Sequence, residues 1–203
     1  MKSVVALYLL PLLAVLGQDP GASVRRDEAR ILNQGIEASN LGANLRIWDV
    51  GTKGWRESKP EDLEKTRSRV LVVNLWAHYC KPCIAEFPIL RDMAKKFEDD
   101  TKGDVRFMFI SETSSATDMD KFIGVNEKRL PSGPMFLDYN ENIAETLRQA
   151  LPGRSLPLPT TLILDERRVV RYVLIGALLN RRSELVQAID EVYHAVNPGS
   201  VNH

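Results

Sequence analysis

The sequence predicts an α/β fold in which helices flank a central mixed sheet. Two apolar runs typical of buried strands, Val70–Trp76 and Val105–Ile110, are each followed by a helical pattern. The end of the chain shows a hairpin pattern, Thr160–Asp165 with Val169–Ile175, followed by an amphipathic helix over Asn180–Val196. Strands that alternate with helices around a mixed sheet are typical of α/β domains.

The first 17 residues have the form of a secretory signal peptide. Lys2 precedes an apolar run of 13 residues, Val4–Leu16, and we expect cleavage after Gly17. The run spans roughly 20 Å as a helix, against about 30 Å for a hydrocarbon core, so an uncleaved membrane anchor is the alternative. We therefore expect an exported chain.

Composition limits the classes of function. The 203 residues carry 27 basic and 27 acidic side chains, so the charge favours neither a nucleic-acid nor an anionic-membrane partner. We expect no nucleic-acid partner and a monomer. Residues 18–42 are polar and predict a partly ordered tether, residues 43–196 one folded domain, and residues 197–203 a tail.

A hairpin is predicted at the start of the domain. Leu45–Asp49 alternates apolar and polar residues, Gly51–Gly54 suits a turn, and Trp55–Ser58 can return as a second strand. Pro60 then begins a short helix with acidic residues in its first turn. We expect Trp48 and Trp55 to pack within the hairpin rather than to form a platform for a ligand.

The middle of the domain contains further helices and one short strand. A long helix, Lys81–Asp99, has apolar residues at spacings of three and four, and Pro88 should kink it. Further on we predict a helix over Ala116–Asn126, a strand over Met135–Asp138 and a helix over Glu141–Leu151.

Cys80 and Cys83, the only cysteines of the chain, lie where the first buried strand passes into the long helix. Their spacing is nearly one helical turn, so the two sulfurs can bridge. The free N–H groups of the first turn and the charge of Lys81 favour a thiolate at Cys80, and Pro82 suits a first turn. This pattern predicts thiol–disulfide exchange, with Cys80 as nucleophile and Cys83 as the resolving thiol.

Two other uses of the cysteine pair fit less well. A zinc site needs four ligands, and the only other candidates are His78, His194 and His203, so we expect no metal. A structural disulfide closing so small a ring would stabilise the fold weakly. The redox-active disulfide is therefore the only cofactor-like group that we expect.

The segment Trp76–Cys83 resembles the active-site motif of the thioredoxin superfamily. Glu86-Phe87-Pro88 after it is similar to the TlpA/ResA/DsbE-like branch of exported thiol–disulfide oxidoreductases. The resemblance implies a thioredoxin-like fold with an N-terminal β-hairpin and a central strand–helix insertion, here Met135–Asp138 with Glu141–Leu151.

The resemblance also implies roles for individual residues. Pro159 matches the superfamily's cis-proline, which faces the cysteine pair, and the backbone of Leu158 would pair with substrate. Glu86 would exchange protons with Cys83, the alternative being a solvated helix acid. The remaining candidates for substrate binding are Trp76, expected to pack beneath the active site, and Lys81, Pro82 and Thr160.

Together these features predict an exported reductase of protein disulfides, located in the periplasm or on the outer face of the cytoplasmic membrane. The resemblance implies a disulfide-containing protein substrate, with apocytochrome c as one class, and an upstream membrane thiol donor. Two alternatives stay open. A Cu(I)-delivery protein would also use two thiolates, but it would need a histidine facing the pair, and this sequence has none between Tyr79 and Tyr193. A peroxiredoxin-like peroxidase would have threonine or serine where this sequence has Ala77.

Overall fold

The computed structural model describes residues 45–49, 51–64, 66–113, 115–131, 133–138 and 157–196. Over these residues it confirms the α/β fold, as a seven-stranded mixed sheet with helices packed on it. The predicted signal peptide, tether, C-terminal tail and helix over Glu141–Leu151 lie outside the described residues.

The order of the elements follows the predicted one. The strands are β1 (Arg46–Asp49), β2 (Gly54–Glu57), β3 (Val70–Trp76), β4 (Val105–Ser111), β5 (Met135–Leu137), β6 (Thr160–Leu164) and β7 (Val170–Ile175). Within the described residues the helices are α1 (Pro60–Glu64), α2 (Lys81–Asp100), α3 (Ala116–Asn126) and α4 (Arg182–Val196), and a 3₁₀ turn covers Glu127–Arg129.

The sheet has the strand order β2-β1-β5-β4-β3-β6-β7. Strand β3 lies between β4, with which it is parallel, and β6, with which it is antiparallel. All seven residues of β3 are buried, which explains its continuous apolar run. The strand that leads to the cysteines is therefore held from both sides.

Each face of the sheet carries its own hydrophobic cluster. Val70, Val72 and Trp76 of β3 point to one face, where helices α2, α3 and α4 contribute Phe87, Met119 and Leu185, among others. The residues between them on β3 belong to a second cluster on the opposite face, namely Leu71, Val73 and Leu75. This alternation places Asn74 on the face covered by α2.

The N-terminal hairpin forms as predicted. Trp48 and Trp55 are cross-strand partners whose ring centroids lie 5.4 Å apart in an edge-to-face arrangement. Asp49 Oδ1 accepts hydrogen bonds from the N–H groups of Gly51 and Thr52 and so closes the turn. Arg56 donates to both carboxylate oxygens of Asp62 in α1, at 2.6 and 2.8 Å, which ties the hairpin to that helix.

Two helix limits differ from the prediction. Helix α2 continues to Asp100, and α4 begins at Arg182 rather than Asn180. Arg181 explains the later start, because its carbonyl accepts from the N–H groups of Glu184 and Leu185, as a residue flanking a helix does. Helix α2 runs through Pro88 as one element, and the kink there stays a prediction. Among the described residues no helix is long and apolar enough to span a membrane.

Candidate active site

The site forms where β3 passes into α2. Cys80 is the residue that caps α2, and its Sγ accepts a hydrogen bond of 3.3 Å from the backbone N–H of Cys83. The two sulfurs are joined in a disulfide, so the structure shows the oxidised form. In the reduced form the same N–H group and the helix dipole would act on a thiolate at Cys80.

The two cysteines differ in exposure. The residue exposure of Cys80 is 8% and that of Cys83 is 0%, whereas Lys81 and Pro82 between them are exposed. Tyr79 is 66% exposed and stands beside the pair. Cys80 thus keeps a small exposed area and Cys83 keeps none, an order that suits a nucleophile and a resolving thiol.

Pro159 lies at the same end of the sheet as the cysteines. The Leu158–Pro159 peptide bond is cis, as predicted. Thr160 is the register partner of Leu75, so Pro159 reaches the level of Trp76, where β3 ends. The carbonyl of Pro159 accepts a hydrogen bond of 2.8 Å from the N–H of Gly176, which joins this segment to the loop after β7.

The structure divides the predicted substrate-binding residues into two groups. Lys81 and Pro82 are exposed and Leu158 is partly exposed, so these three are accessible to a partner. Pro159 is buried, and its carbonyl is already engaged by the N–H of Gly176.

Trp76 and Thr160, both candidates for substrate binding, have an exposure of 0%, so neither side chain is open to a partner in this form. The Trp76 ring packs against Phe87 and Phe122, with ring centroids 4.9 and 5.7 Å away, and therefore supports the site from below. The Thr160 hydroxyl donates to the carbonyl of Pro157 at 2.8 Å and holds the proline segment.

Glu86 is fully buried rather than a solvated helix acid. Its Oε1 accepts from Asn74 Nδ2 at 3.1 Å, and its Oε2 accepts from the backbone N–H of Leu178 at 2.9 Å. Burial raises the pKa of Glu86 above its ordinary value, and the two hydrogen bonds offset part of this effect. The position three residues beyond Cys83 puts the carboxyl on the same side of α2 as that cysteine.

Sequence reasoning missed two partners of this carboxyl, Asn74 and the Leu178 main chain, and a third residue that binds Asn74. The alternation of side chains along β3 could have placed Asn74 facing α2. Thr161, whose Oγ1 accepts from Asn74 Nδ2 at 3.0 Å, gave no signal beyond lying in a strand. Leu178 contributes its main chain, which no side-chain pattern reveals.

Among the described residues no cluster of three or more His, Cys, Asp or Glu side chains is arranged to hold a metal ion. The two sulfurs are the atoms that could bind a soft ion once reduced. The expectation that the protein carries no metal stays a prediction.

Comparison with known proteins decides the family. A model described as the AhpC/TSA family matches residues 49–173, which is more than half of the chain. The chain belongs to the AhpC/TSA family. The matched residues include the first hairpin's turn, the cysteine pair, β6 and the first part of β7.

Two individual proteins resemble part of the chain. The chain is 25% identical over 126 residues to thioredoxin-like protein YneN of Bacillus subtilis, covering 60% of this chain and 65% of YneN. It is 21% identical over 122 residues to thiol-disulfide oxidoreductase ResA of Geobacillus thermodenitrificans, covering 60% and 63%. The chain thus spans slightly less than two thirds of the length of both relatives.

A solved structure supports the fold. A candidate thiol:disulfide interchange protein DsbE from Chlorobium tepidum superposes with a TM-score of 0.51 at 21% identity, covering 64% of this chain and 83% of that one. The thioredoxin-like fold and the similarity to ResA and DsbE that the motif predicted are confirmed.

Proposed function

We propose that this chain is an exported thiol–disulfide oxidoreductase that reduces disulfide bonds in other proteins. One observation carries the proposal. A cysteine that keeps a small exposed area caps a helix and receives an N–H hydrogen bond at its sulfur, while its fully buried partner lies one turn inside. This arrangement suits a nucleophile that is attacked in turn by a resolving thiol.

The exchange consists of two successive attacks by thiolates. In the reduced protein the Cys80 thiolate attacks a substrate disulfide, forms a mixed disulfide and releases one substrate sulfur as a thiolate. Cys83 then loses its proton and attacks Cys80 Sγ, which restores the Cys80–Cys83 disulfide and releases the second substrate sulfur. The substrate gains two electrons, and the protein loses them.

Glu86 is our candidate for the group that takes the Cys83 proton. Its buried carboxyl has a raised pKa and lies on the Cys83 side of α2. A carboxyl whose pKa approaches the working pH exchanges protons more readily with a thiol than an ordinary one does. The proton would then pass to the released substrate thiolate or to water.

The wider setting belongs to the same proposal. The apolar run near the start of the sequence supports export to the periplasm or to the outer face of the cytoplasmic membrane. There the oxidised chain would need electrons from an upstream membrane thiol donor. The similarity to ResA and DsbE-like proteins supports reduction of a protein disulfide, with apocytochrome c as one substrate class.

Two cysteine variants test the reaction. We expect Cys80→Ser to lose disulfide reductase activity completely, because the nucleophile is gone. Cys83→Ser should instead accumulate mixed disulfides with substrate, because nothing resolves them. Non-reducing gel electrophoresis of the native compartment, followed by identification of the trapped partners, measures both outcomes.

Three results would contradict the proposal. Full reductase activity of Cys80→Ser would remove the nucleophile assignment. Tight Cu(I) binding by the reduced protein without any disulfide exchange would favour a copper carrier. Rapid turnover of peroxide with no reduction of protein disulfides would favour a peroxidase.

A further inference from the structure

The Glu86 carboxyl lies at the end of a short chain of buried polar groups. Asn74 Nδ2 donates to Glu86 Oε1 at 3.1 Å and to Thr161 Oγ1 at 3.0 Å. Asn74 and Glu86 have an exposure of 0% and Thr161 of 1%. The orientation of the amide follows from its neighbours, because a carboxylate can only accept and must face the NH₂ end.

The main chain limits where a proton can sit on Glu86. The N–H of Leu178 points at Oε2 from 2.9 Å, and a backbone N–H has no acceptor to offer in its place. A proton on Oε2 would set two donors against each other. Protonation therefore takes place on Oε1, the oxygen that faces Asn74.

A proton on Oε1 makes the present amide orientation unfavourable, because O–H would then face N–H. A half-turn of the Asn74 amide about its last side-chain bond exchanges Nδ2 with Oδ1. The oxygen would accept from protonated Glu86 and, because a hydroxyl can donate as well as accept, from Thr161 also. Oδ1 is buried and accepts no hydrogen bond from the described residues, so the turn breaks no other contact there.

We propose that Asn74, hydrogen-bonded to Thr161, is a positioning residue whose amide makes this half-turn each time Glu86 gains or loses a proton. The inference rests on the proposed function, since it gives Glu86 a partner suited to both halves of the proton transfer from Cys83. Asn74 donates while Glu86 is a carboxylate and accepts while Glu86 is an acid. A fixed donor would favour only the carboxylate.

Among the described residues, few other groups can influence this equilibrium. Cys80 and Cys83 are the titratable side chains of α2 on the same side, and in the oxidised protein neither titrates. Strand β3 presents Asn74, β6 presents Thr161, and the loop after β7 presents the Leu178 amide. The cation in that loop, Arg181, is engaged by Glu184 and the carbonyl of Ile175.

Nuclear magnetic resonance of the oxidised protein tests the turn directly. The carboxyl carbon shift of Glu86 gives its titration midpoint without interference from thiols. We expect the nuclear Overhauser contact between the Asn74 NH₂ protons and the Thr161 methyl group to weaken below that midpoint, with a transition at the same pH. An unchanged contact on both sides of the midpoint would overturn the inference.

Kinetics of the reduced protein with a chromogenic aromatic disulfide supply a second readout. The first thiol released reports attack by Cys80, and the second reports attack by Cys83. We expect Asn74→Leu to slow the second step by about tenfold, because the carboxyl loses its positioning partner, and to leave the first step unchanged. Asn126→Leu, a partly buried asparagine of α3, is the matched control and should change neither step.

The pH profile separates a turning amide from a fixed one. If Asn74 assists both forms of Glu86, its removal should move the midpoint of the second step by well under one pH unit. Loss of a fixed donor to a carboxylate would raise that midpoint by about one unit or more and would overturn the proposal.

A variant at Thr161 guards against misfolding of Asn74→Leu. Thr161→Val should also slow the second step, and Thr161→Ser, which keeps the hydroxyl, should restore it. Equal rates for both Thr161 variants would count against the inference. Failure of the wild-type protein to reduce any protein disulfide would instead refute the proposed function, whatever the amide does.

Discussion

At the scale of single residues, the buried carboxyl of Glu86 is the feature with the clearest energetic consequence. Burial disfavours its charged form, and one hydrogen bond from Leu178 and one from Asn74 recover part of that cost. Its pKa is raised in the folded protein, so the folded state binds more protons than the unfolded state between the ordinary value of 4.5 and the raised one. The charged form therefore destabilises the fold.

The raised pKa of Glu86 predicts a pH-dependent difference in stability between the wild type and Glu86→Gln. The wild-type contribution is most favourable below pH 4.5 and is lost as the pH rises through the raised pKa. We expect the free energy of unfolding of the wild type to fall relative to that of Glu86→Gln over this window. Denaturant titrations at a series of pH values measure the difference. A difference that does not change with pH would show that the carboxyl titrates normally.

An exposed acid provides the control for this measurement. Glu127→Gln, in the 3₁₀ turn after α3, changes the charge equally but at an exposed position. Its stability difference from the wild type should therefore show no comparable fall with pH.

Residues with a sequence signature were the ones that could be predicted. The spacing of Cys80 and Cys83 was sufficient to assign the redox pair, and resemblance pointed to Pro159 and Glu86. The contact with Leu178 could not be predicted, since it uses a peptide N–H of a loop more than 90 positions away in the chain. Trp76 was expected beneath the active site, but its motif position says nothing about how completely it is buried.

At the scale of secondary-structure elements, helix α3 depends on the residue that precedes it. Ser115 flanks the helix in an extended conformation, and its hydroxyl accepts a hydrogen bond of 3.2 Å from the N–H of Asp118. This contact satisfies one of the unpaired N–H groups of the first turn. Asp118 adds a negative charge where the helix dipole is positive.

We predict that Ser115→Ala lowers the free energy of unfolding by about 1 kcal/mol, because the first turn loses its cap. Thermal or denaturant unfolding measures the change. Thr117→Ala in the same turn is exposed and serves as the control, for which we expect no loss. Equal stability of the two variants would mean that the hydroxyl contributes nothing to the helix.

The elements themselves were predictable because hydrophobic periodicity reflects burial directly. Strand β3 is buried along its whole length and reads as an unbroken apolar run, and α2 presents apolar residues every three or four positions. The limits of the elements were less predictable. The start of α4 depends on Arg181, whose hydrogen bonds arise only when the loop is folded.

At the scale of the whole molecule, β5 connects the N-terminal hairpin to the rest of the sheet. It is parallel to β4 on one side and pairs with β1 on the other, through Arg46 with Leu137 and Ile47 with Phe136. This arrangement could not be deduced from periodicity, because the choice of neighbouring strands depends on how side chains pack on both faces of the sheet. The sequence indicated a hairpin and a short strand but not that they adjoin.

We predict that Phe136→Ala destabilises the protein by about 3–5 kcal/mol, since the ring is fully buried at this junction. Hydrogen exchange should show the largest loss of protection in β1 and β2, which β5 links to the sheet. Val125→Ala, at an 85% exposed position, is the control and should change neither quantity. Uniform loss of protection across all strands would mean that the hairpin unfolds together with the rest of the sheet and does not depend on β5 in particular.

The contact between the Leu178 amide and Glu86 has a consequence for how such sites are recognised. Every amino acid except proline supplies the same N–H group, so any side chain at position 178 that still fits the buried core would keep this contact. A search that scores residue types would overlook this position among distant relatives. A structural search for a loop after β7 that passes over α2 would find position 178.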